Sequence, residues 1–165
     1  MNVSKAIEIS MATVLRTCGD LGADVAIRAW QSLARDGSWD ATQDRTFPLV
    51  DVRCSPPQTN ADQVTLTADC ALLCGTQSSD DKGHAQISAL YEAVQTVADT
   101  LYTQFHSGVE TGTEIALFLA TMATEAGSAF QFSGFSFGTS LAPYNDGGAN
   151  MIGITLTVHY TRSDL

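Results

Sequence analysis

The sequence predicts one α+β domain over residues 1–165, in which a single mixed, mainly antiparallel β-sheet is flanked by two or three helices. Strict alternation of apolar and polar residues over 152–160 is typical of a strand with one buried face. Apolar residues at steps of three or four over 87–105 indicate a long amphipathic helix. A length of 165 residues suits one domain, which buries about 70% of the surface that its unfolded chain exposes.

Composition limits the classes of partner. The net charge is −10, from 8 basic and 18 acidic residues, and the basic residues are scattered along the chain. Because lysine and arginine supply most nucleic-acid affinity, we expect no sequence-specific binding of DNA or RNA. An acidic body repels DNA that passes near it, which is compatible with a conduit for DNA. The low charged fraction, 16%, favours a neutral polar surface, common in self-assembling proteins and in ordinary soluble domains.

No segment predicts a membrane association. The longest apolar run, Ile115–Ala120, is far shorter than the ~20 residues that a bilayer requires. Polar residues interrupt Met1–Leu15, so we expect no signal peptide there. The chain is therefore expected to be made in the cytoplasm, with Cys18, Cys54, Cys70 and Cys74 reduced.

The first third predicts a helix and a strand. Ser4 is the expected N-cap of a helix that runs to about Thr17 and carries an apolar stripe. Asp24–Trp30 alternates as a strand, with Arg28 and Trp30 on one side. The mixed tract Gln31–Arg45 predicts either a loop or a short helix.

Two further strands follow. Phe47–Cys54 predicts a strand with Asp51 and Arg53 on its solvent side, and Pro56-Pro57 ends it because proline donates no ladder hydrogen bond. The polar segment Ser55–Gln63 predicts an exposed hairpin loop, and Val64–Cys74 predicts a long strand.

Two helices are expected next. The acidic run before the long helix suits its positive N-terminal end, and Gly108 is the expected C-terminal cap. The capping-box pattern Thr111-x-x-Glu114 predicts a third helix, stopped by Gly127. A short strand over Ile115–Leu119 is the alternative interpretation.

The last third predicts a hairpin with an irregularity. Phe130 and Phe132 differ in parity from Phe135 and Phe137, so a β-bulge near Ser133-Gly134 would return all four rings to one face. Pro143–Gly148 is rich in turn formers and predicts a loop. The final strand places a small polar row opposite its apolar face, and that row consists of Gly153, Thr155, Thr157 and His159.

The residue types that often carry chemistry have simpler interpretations here. Cys70 and Cys74 would lie about 13 Å apart on one strand, too far to bridge, so buried structural thiols are favoured over a metal or redox pair. His84 and His106 are separated by the long helix, and His159 faces outward, so no shared metal is expected. Helix capping explains Asp80-Asp81 better than a calcium loop, whose other ligands are missing.

No motif predicts catalysis. The chain has no Gly-x-Ser-x-Gly elbow, phosphate loop or His-Glu-x-x-His sequence. Gly134–Gly138 has the wrong residue order for a nucleophile elbow. We therefore expect no catalytic residue, no cofactor and no metal, and a protein that is not an enzyme.

The order of elements resembles the tail terminator, or tail completion, proteins of long-tailed bacteriophages. The similarity covers residues 45–162: the strand from Phe47, the hairpin loop, the strand to Cys74 and the acidic link into the long helix. It continues through the Phe-rich strand, the Asn145-Asp146-Gly147-Gly148 loop and the terminal strand to Tyr160. The first third departs from the family, and the tract Gln31–Arg45 has no counterpart that we recognise.

The resemblance implies a structural virion protein of the tail or neck, with no reaction catalysed. Such proteins form a ring, typically a homohexamer, on the head-proximal end of the tail tube. The ring ends tube polymerisation and provides the joint to the head connector. The implied partners are further copies of the chain, the tail tube protein and the head–tail connector proteins, and DNA would pass through the ring.

The patterning alone suggests where a partner would bind. Asp51 and Arg53 are opposite charges that would pair across a subunit contact, although a solvated strand face explains them as well. The loops Ser55–Gln63 and Pro143–Asn150 are further candidates, since binding residues often lie on loops. The candidate interface residues are Asp51, Arg53, Tyr144, Asn145, Asp146, Thr155, Thr157 and His159.

Two alternative functions remain open at this point. In the first alternative, the chain is another neck or tail component, either a tube subunit or a head-closure adaptor. From a different class, a small-molecule binding domain or enzyme would require a deep apolar pocket with convergent polar groups.

Overall fold

The computed structural model of the chain describes residues 2–33, 47–107 and 112–165, and these form an α+β fold. The helices are α1 (Val3–Cys18), the one-turn α2 (Trp30–Leu33), α3 (Ala85–His106) and α4 (Thr113–Ala126). The strands are β1 (Ala26–Ala29), β2 (Leu49–Cys54), β3 (Gln58–Thr59), β4 (Leu66–Gln77), β5 (Phe130–Phe137), β6 (Leu141–Asp146) and β7 (Ala149–Arg162). A 3₁₀ turn, Lys82–His84, precedes α3.

The strands form one mixed, mainly antiparallel sheet in the order β1-β2-β4-β7-β5. Only the pairing of β1 with β2 is parallel among the described strands. β3 adds to β4, and β6 adds to β7 beyond the end of β5. The predicted fold class is therefore confirmed.

The pairing of β4 with β7 is the longest ladder in the sheet. It runs without a register shift from Leu66 opposite Tyr160 to Gln77 opposite Ala149. Because side chains alternate along a strand, one set from both strands faces the helices. Leu72, Leu156 and Val158 belong to that set and are fully buried.

The helices pack on one face of the sheet. The buried residues of α1, α3 and α4 belong to the same apolar cluster as Val50, Leu72 and Leu156. A smaller cluster, with Leu73, Ala149 and Met151 around Phe47, lies on the other face. We call that other face the open face, and it carries Asp51, Arg53, Asp69, Ala71, Gly153, Thr155, Thr157 and His159.

The predicted bulge in β5 is confirmed. The register of β5 against β7 shifts between Phe132 and Gly134, and Gly134 has a φ of +153°. After the shift, Phe132 and Phe135 both contact Phe118 of α4. The extra residue thus keeps the rings on the helix side, as the parity change predicted.

Several boundaries differ from the expected ones because local hydrogen bonds decide them. Asn2, not Ser4, caps α1, since its side chain accepts a 3.0 Å hydrogen bond from the Lys5 N–H. The Ser4 hydroxyl instead donates to the Ser55 carbonyl at 2.8 Å. The expected strand Asp24–Trp30 is shorter, because the chain turns into α2 at Trp30.

The segment Ser55–Gln63 is not a loop throughout, since β3 pairs within it. α4 confirms the third helix, and the strand alternative over Ile115–Leu119 is wrong. Residue Gly108 lies outside the described residues, as does Thr111. The tract Gln31–Arg45 begins in α2, and its remainder from residue 34 also lies outside them.

A buried carboxylate fastens α1 to two neighbouring elements. Glu8 is 1% exposed and accepts hydrogen bonds from the Gln31 N–H and side-chain amide, both at 2.8 Å. It also accepts one from the Cys54 N–H at 2.9 Å. These three donors compensate the desolvation of the carboxylate and fix α1 against α2 and the end of β2.

Among the described residues, no helix is both long enough and apolar enough to cross a membrane.

We expect Glu8→Gln to lower the free energy of unfolding by about 1–3 kcal/mol, because the new amide N–H would face the backbone N–H of Gln31 or Cys54, which can only donate. Urea denaturation measures the change. The control is Glu92→Gln on the exposed side of α3, which should stay within about 0.5 kcal/mol of the parent. Equal stability of Glu8→Gln and the parent would contradict this role of Glu8.

Candidate functional site

The predicted charge pair on β2 is satisfied within the chain. Asp51 shares the open face with Arg53, as predicted, but it is only 5% exposed, so the expected solvation of its side chain is wrong. Its carboxylate accepts hydrogen bonds from Arg28 at 3.1 Å and from Arg53 at 3.3 Å. The parallel neighbour β1 brings Arg28 directly opposite Asp51, a pairing that the sequence does not reveal. Arg53 remains about half exposed and lies over the Trp30 ring.

The small polar row on β7 is also less available than expected. Thr155 and Thr157 are buried, and the Thr157 hydroxyl donates to Asp69 at 2.7 Å. A Cβ added to Gly138 would lie 2.9 Å from the methyl carbon of Thr155 and 3.0 Å from the Thr157 hydroxyl oxygen. The β5–β6 connection therefore lies against this row and covers both threonines, and their contact with another subunit stays a prediction.

His159 is half-buried beside a serine of the adjacent strand. Its Nε2 lies 2.7 Å from the Ser136 hydroxyl oxygen, so the two side chains share a hydrogen bond. The bond joins β5 to β7 on the open face, next to the Asp69–Thr157 pair. The polar groups of this face thus bond mainly to one another.

The expected loop Pro143–Gly148 is largely a strand. β6 pairs with β7 up to Asp146, and only Gly147-Gly148 forms the turn, with φ values of +58° and +85°. Two consecutive residues with positive φ match the twist of a tight hairpin, which glycine tolerates best. In the sequence, the Gly-Gly dipeptide indicates the hairpin turn. The preceding Pro-Tyr-Asn-Asp consists of residues that favour turns, so the strand was not predicted there.

The hairpin carries three of the candidate interface residues. Tyr144 is exposed, as predicted, and Asp146 is exposed as well. The Asn145 side chain donates to the Ser78 hydroxyl at 2.8 Å and holds the hairpin to the end of β4. Contact of these residues with another subunit stays a prediction.

A groove separates this hairpin from the first turns of α3. Its volume is about 450 Å³, and we call it the α3–β6 groove. The lining is mostly apolar, with polar groups from His84, Ser88 and two asparagines. The lining residues are His84, Ile87, Ser88, Tyr91, Pro143, Tyr144, Asn145, Asn150, Met151 and Ile152.

Asp81 fixes the helix wall of the groove to the sheet. It accepts hydrogen bonds from the Gln86 N–H at 2.8 Å and the Ile87 N–H at 3.0 Å, which confirms the expected capping role of the acidic run. It also accepts a 2.7 Å hydrogen bond from Thr76 on β4. Burial opposes the ionisation of this carboxyl, but these hydrogen bonds outweigh burial and lower its pKa.

Exposed apolar side chains lie on and beside the β5–β6 edge of the sheet, and Tyr144 among them lines the groove. Tyr102, Phe137, Leu141 and Tyr144 are each 36–45% exposed, and we call these four residues the edge strip. Phe137 belongs to β5, and Leu141 and Tyr144 belong to β6. Tyr102 of α3 contacts Phe137, with ring centroids 5.2 Å apart. Sequence reasoning identified only Tyr144, because exposure of the other three depends on which strands form the edge.

Cys54, Cys70 and Cys74 are buried free thiols, as predicted for Cys70 and Cys74, whereas Cys18 is partly exposed. Burial raises the pKa of Cys74 to about 12, so its reactive thiolate form is scarce at neutral pH. Cys54 lies directly opposite Cys70 across β2 and β4, and the hydrogen bond between them, together with burial, raises the pKa of Cys70. Within the described ranges, no three His, Cys, Asp or Glu side chains are placed to hold a metal ion.

Comparison with models of known protein families gives no match for this chain. Comparison with curated proteins gives no significant match either.

We expect Asp81→Ala to destabilise the fold by about 1–2 kcal/mol at pH 7, because two helix N–H groups lose their acceptor. Because the pKa of Asp81 is lowered in the folded state, its ionised carboxylate stabilises the fold fully at pH values above the ordinary pKa of 3.8. This stabilisation is lost as the pH falls through the pKa of the folded state. The difference between parent and variant should therefore shrink below about pH 4.

Thermal or urea unfolding at several pH values measures the difference. Asp80→Ala, at an exposed neighbouring position, is the matched control and should change little. A destabilisation that is the same at pH 7 and pH 2.5 would contradict the role assigned to the Asp81 carboxylate.

Proposed function

We propose that this chain is a structural virion protein that forms a ring on the head-proximal end of a phage tail tube. The ring ends tube polymerisation and joins the tube to the head connector, and no reaction is catalysed. The observation that carries the proposal is the edge strip beside the α3–β6 groove. Four partly exposed, large apolar side chains on and beside the outer edge of the described sheet suit a surface that a partner covers.

Self-association is the use of this surface that agrees with the composition. With only 16% charged residues, the chain offers few charges that would have to be desolvated at a subunit contact. A closed ring requires two different surfaces that meet head to tail at a rotation that closes. The edge strip supplies one such surface.

The resemblance in element order supports the assignment to a phage tail. The α+β fold has the sheet and the flanking helices that the resemblance implies. The proposed partners are further copies of the chain, in a homohexamer, together with the tail tube protein and the head–tail connector proteins. The proposed location is the neck of the virion, and the acidic net charge of −10 suits a ring through which DNA passes without binding.

A tube subunit or a head-closure adaptor is the nearest alternative. A tube subunit also assembles through head-to-tail contacts, but its contacts leave the assembly open-ended. Closed rings favour the terminator, whereas long tubes formed by the purified chain favour the tube subunit.

Small-molecule binding is a second candidate, favoured by the α3–β6 groove alone. A volume of about 450 Å³ lies within the range of ligand sites, and apolar walls surround a few polar groups. A thermal-shift screen with metals and metabolites tests this function. A large stabilisation that Ser88→Trp removes would support it over self-assembly.

The assembly proposal predicts that Leu141→Ser combined with Tyr144→Ser weakens self-association by at least about tenfold, since two apolar contacts are lost from the interface. Sedimentation velocity over a range of micromolar concentrations measures the association. The matched control is Leu165→Ser, which removes an exposed leucine away from the edge strip and should leave association unchanged.

A strict monomer at every concentration, with no binding to tail tubes, would contradict the proposed function. An equal loss of association in the Leu165→Ser control would contradict the assignment of the edge strip as the contact surface.

A further inference from the structure

An exposed valine at the turn between β3 and β4 is unusual for a hairpin tip, where polar residues are the norm. Val64 is 68% exposed, and residues 61–63 beside it are exposed as well. We call residues 60–64 the β3–β4 tip. A side chain this apolar contributes little to the fold of its own chain when it is so exposed.

Local hydrogen bonds hold the tip even though it lies in solvent. The Asp62 carboxylate accepts hydrogen bonds from the Val64 N–H at 3.0 Å and from the N–H and hydroxyl of Thr65 at 2.8 and 2.7 Å. Gln63 has a φ of +59°, a left-handed conformation that a glutamine rarely adopts. A strained, fastened turn that displays an apolar side chain is pre-organised for contact with a partner.

The tip and the α3–β6 groove lie at opposite ends of the β4–β7 ladder. The tip precedes Leu66, which pairs with Tyr160, whereas Asn150 and Met151 of the groove pair with Thr76 and Gly75 near the other end. At about 3.3 Å per residue, the stretch from Leu66 to Gly75 spans about 30 Å. One copy therefore cannot bring its tip into its own groove.

Charged side chains lie at both ends, and the groove end carries the exposed acidic residues Asp80 and Asp146 as well as basic ones. The tip carries the carboxylate of Asp62, whose hydrogen bonds with Thr65 and Val64 lower its pKa and keep it ionised. Exposed His84 lines the groove, and exposed Lys82 precedes it in the same 3₁₀ turn. The apolar walls from Ile87 and Ile152 suit a valine side chain.

We propose that the β3–β4 tip of one copy inserts Val64 into the α3–β6 groove of the next copy, with Asp62 facing Lys82 and His84. Such a contact joins two different surfaces, which is the head-to-tail arrangement that a ring requires. The inference rests on the proposed self-assembly and names the surfaces that it uses. Tyr144 of the edge strip lines the groove and belongs to the same contact.

Two variants test the contact from its two sides. Val64→Asp places a charge on the tip, and Ser88→Trp fills the groove. Both positions are exposed, so the fold should persist, which circular dichroism checks. Each variant alone should associate at least about tenfold more weakly than the parent in sedimentation velocity. Gln58→Asp on β3 and Thr103→Trp near the other end of α3, both exposed, are the controls and should assemble like the parent.

Mixing the two variants gives the decisive result. Val64→Asp keeps an intact groove and Ser88→Trp keeps an intact tip, so the mixture should form a one-to-one heterodimer and nothing larger. If each variant alone associates as tightly as the parent, the proposed contact is wrong, although self-assembly through another surface would still hold. Failure of the mixture to form heterodimers would overturn it too, and would indicate that the groove receives a different partner. A parent chain that is monomeric throughout would remove the proposed function as well.

Discussion

The antiparallel pairing of β4 with β7 is the interaction on which the rest of the structure depends. Its register places one face of both strands against the helices, where Leu72, Leu156 and Val158 are fully buried. β7 is also long enough to carry β5 and then β6 along its other edge. A shift of one residue would exchange the two faces and expose the core row, so the apolar pattern strongly specifies the register. The same ladder holds the β3–β4 tip and the α3–β6 groove at its two ends.

Two buried carboxylates attach the helices to this sheet. Glu8 joins α1 to α2 and β2, and Asp81 joins the start of α3 to β4. Each carboxylate accepts hydrogen bonds from several donors, which compensate its desolvation and fix its orientation. The position of α3 relative to the β6–β7 hairpin, and with it the shape of the groove, follows from the second attachment.

The sequence predicted the elements whose pattern is periodic. The helix stripe from Ile87, the alternation of β7 and the bulge at Gly134 all follow from spacing, because burial of one face imposes a period. The sequence did not predict features that depend on strand neighbours. Arg28 reaches Asp51 only because β1 lies beside β2, and Thr155 and Thr157 are covered only because the β5–β6 connection passes against them. For the same reason, Tyr144 was identified as exposed whereas the exposure of Phe137 and Leu141 was not. The sequence pattern therefore indicated the open face as the candidate site, whereas the structure indicates the edge strip and the groove.

We propose that copies of this chain close into a ring through two different surfaces. Electron microscopy of the purified chain at micromolar concentration, alone and with tail tubes, tests this proposal. We expect closed rings of one stoichiometry, with each subunit contacting its neighbours through opposite ends of the β4–β7 ladder, and rings at one end of the tubes. Isolated monomers, two-fold dimers or open-ended filaments would contradict it.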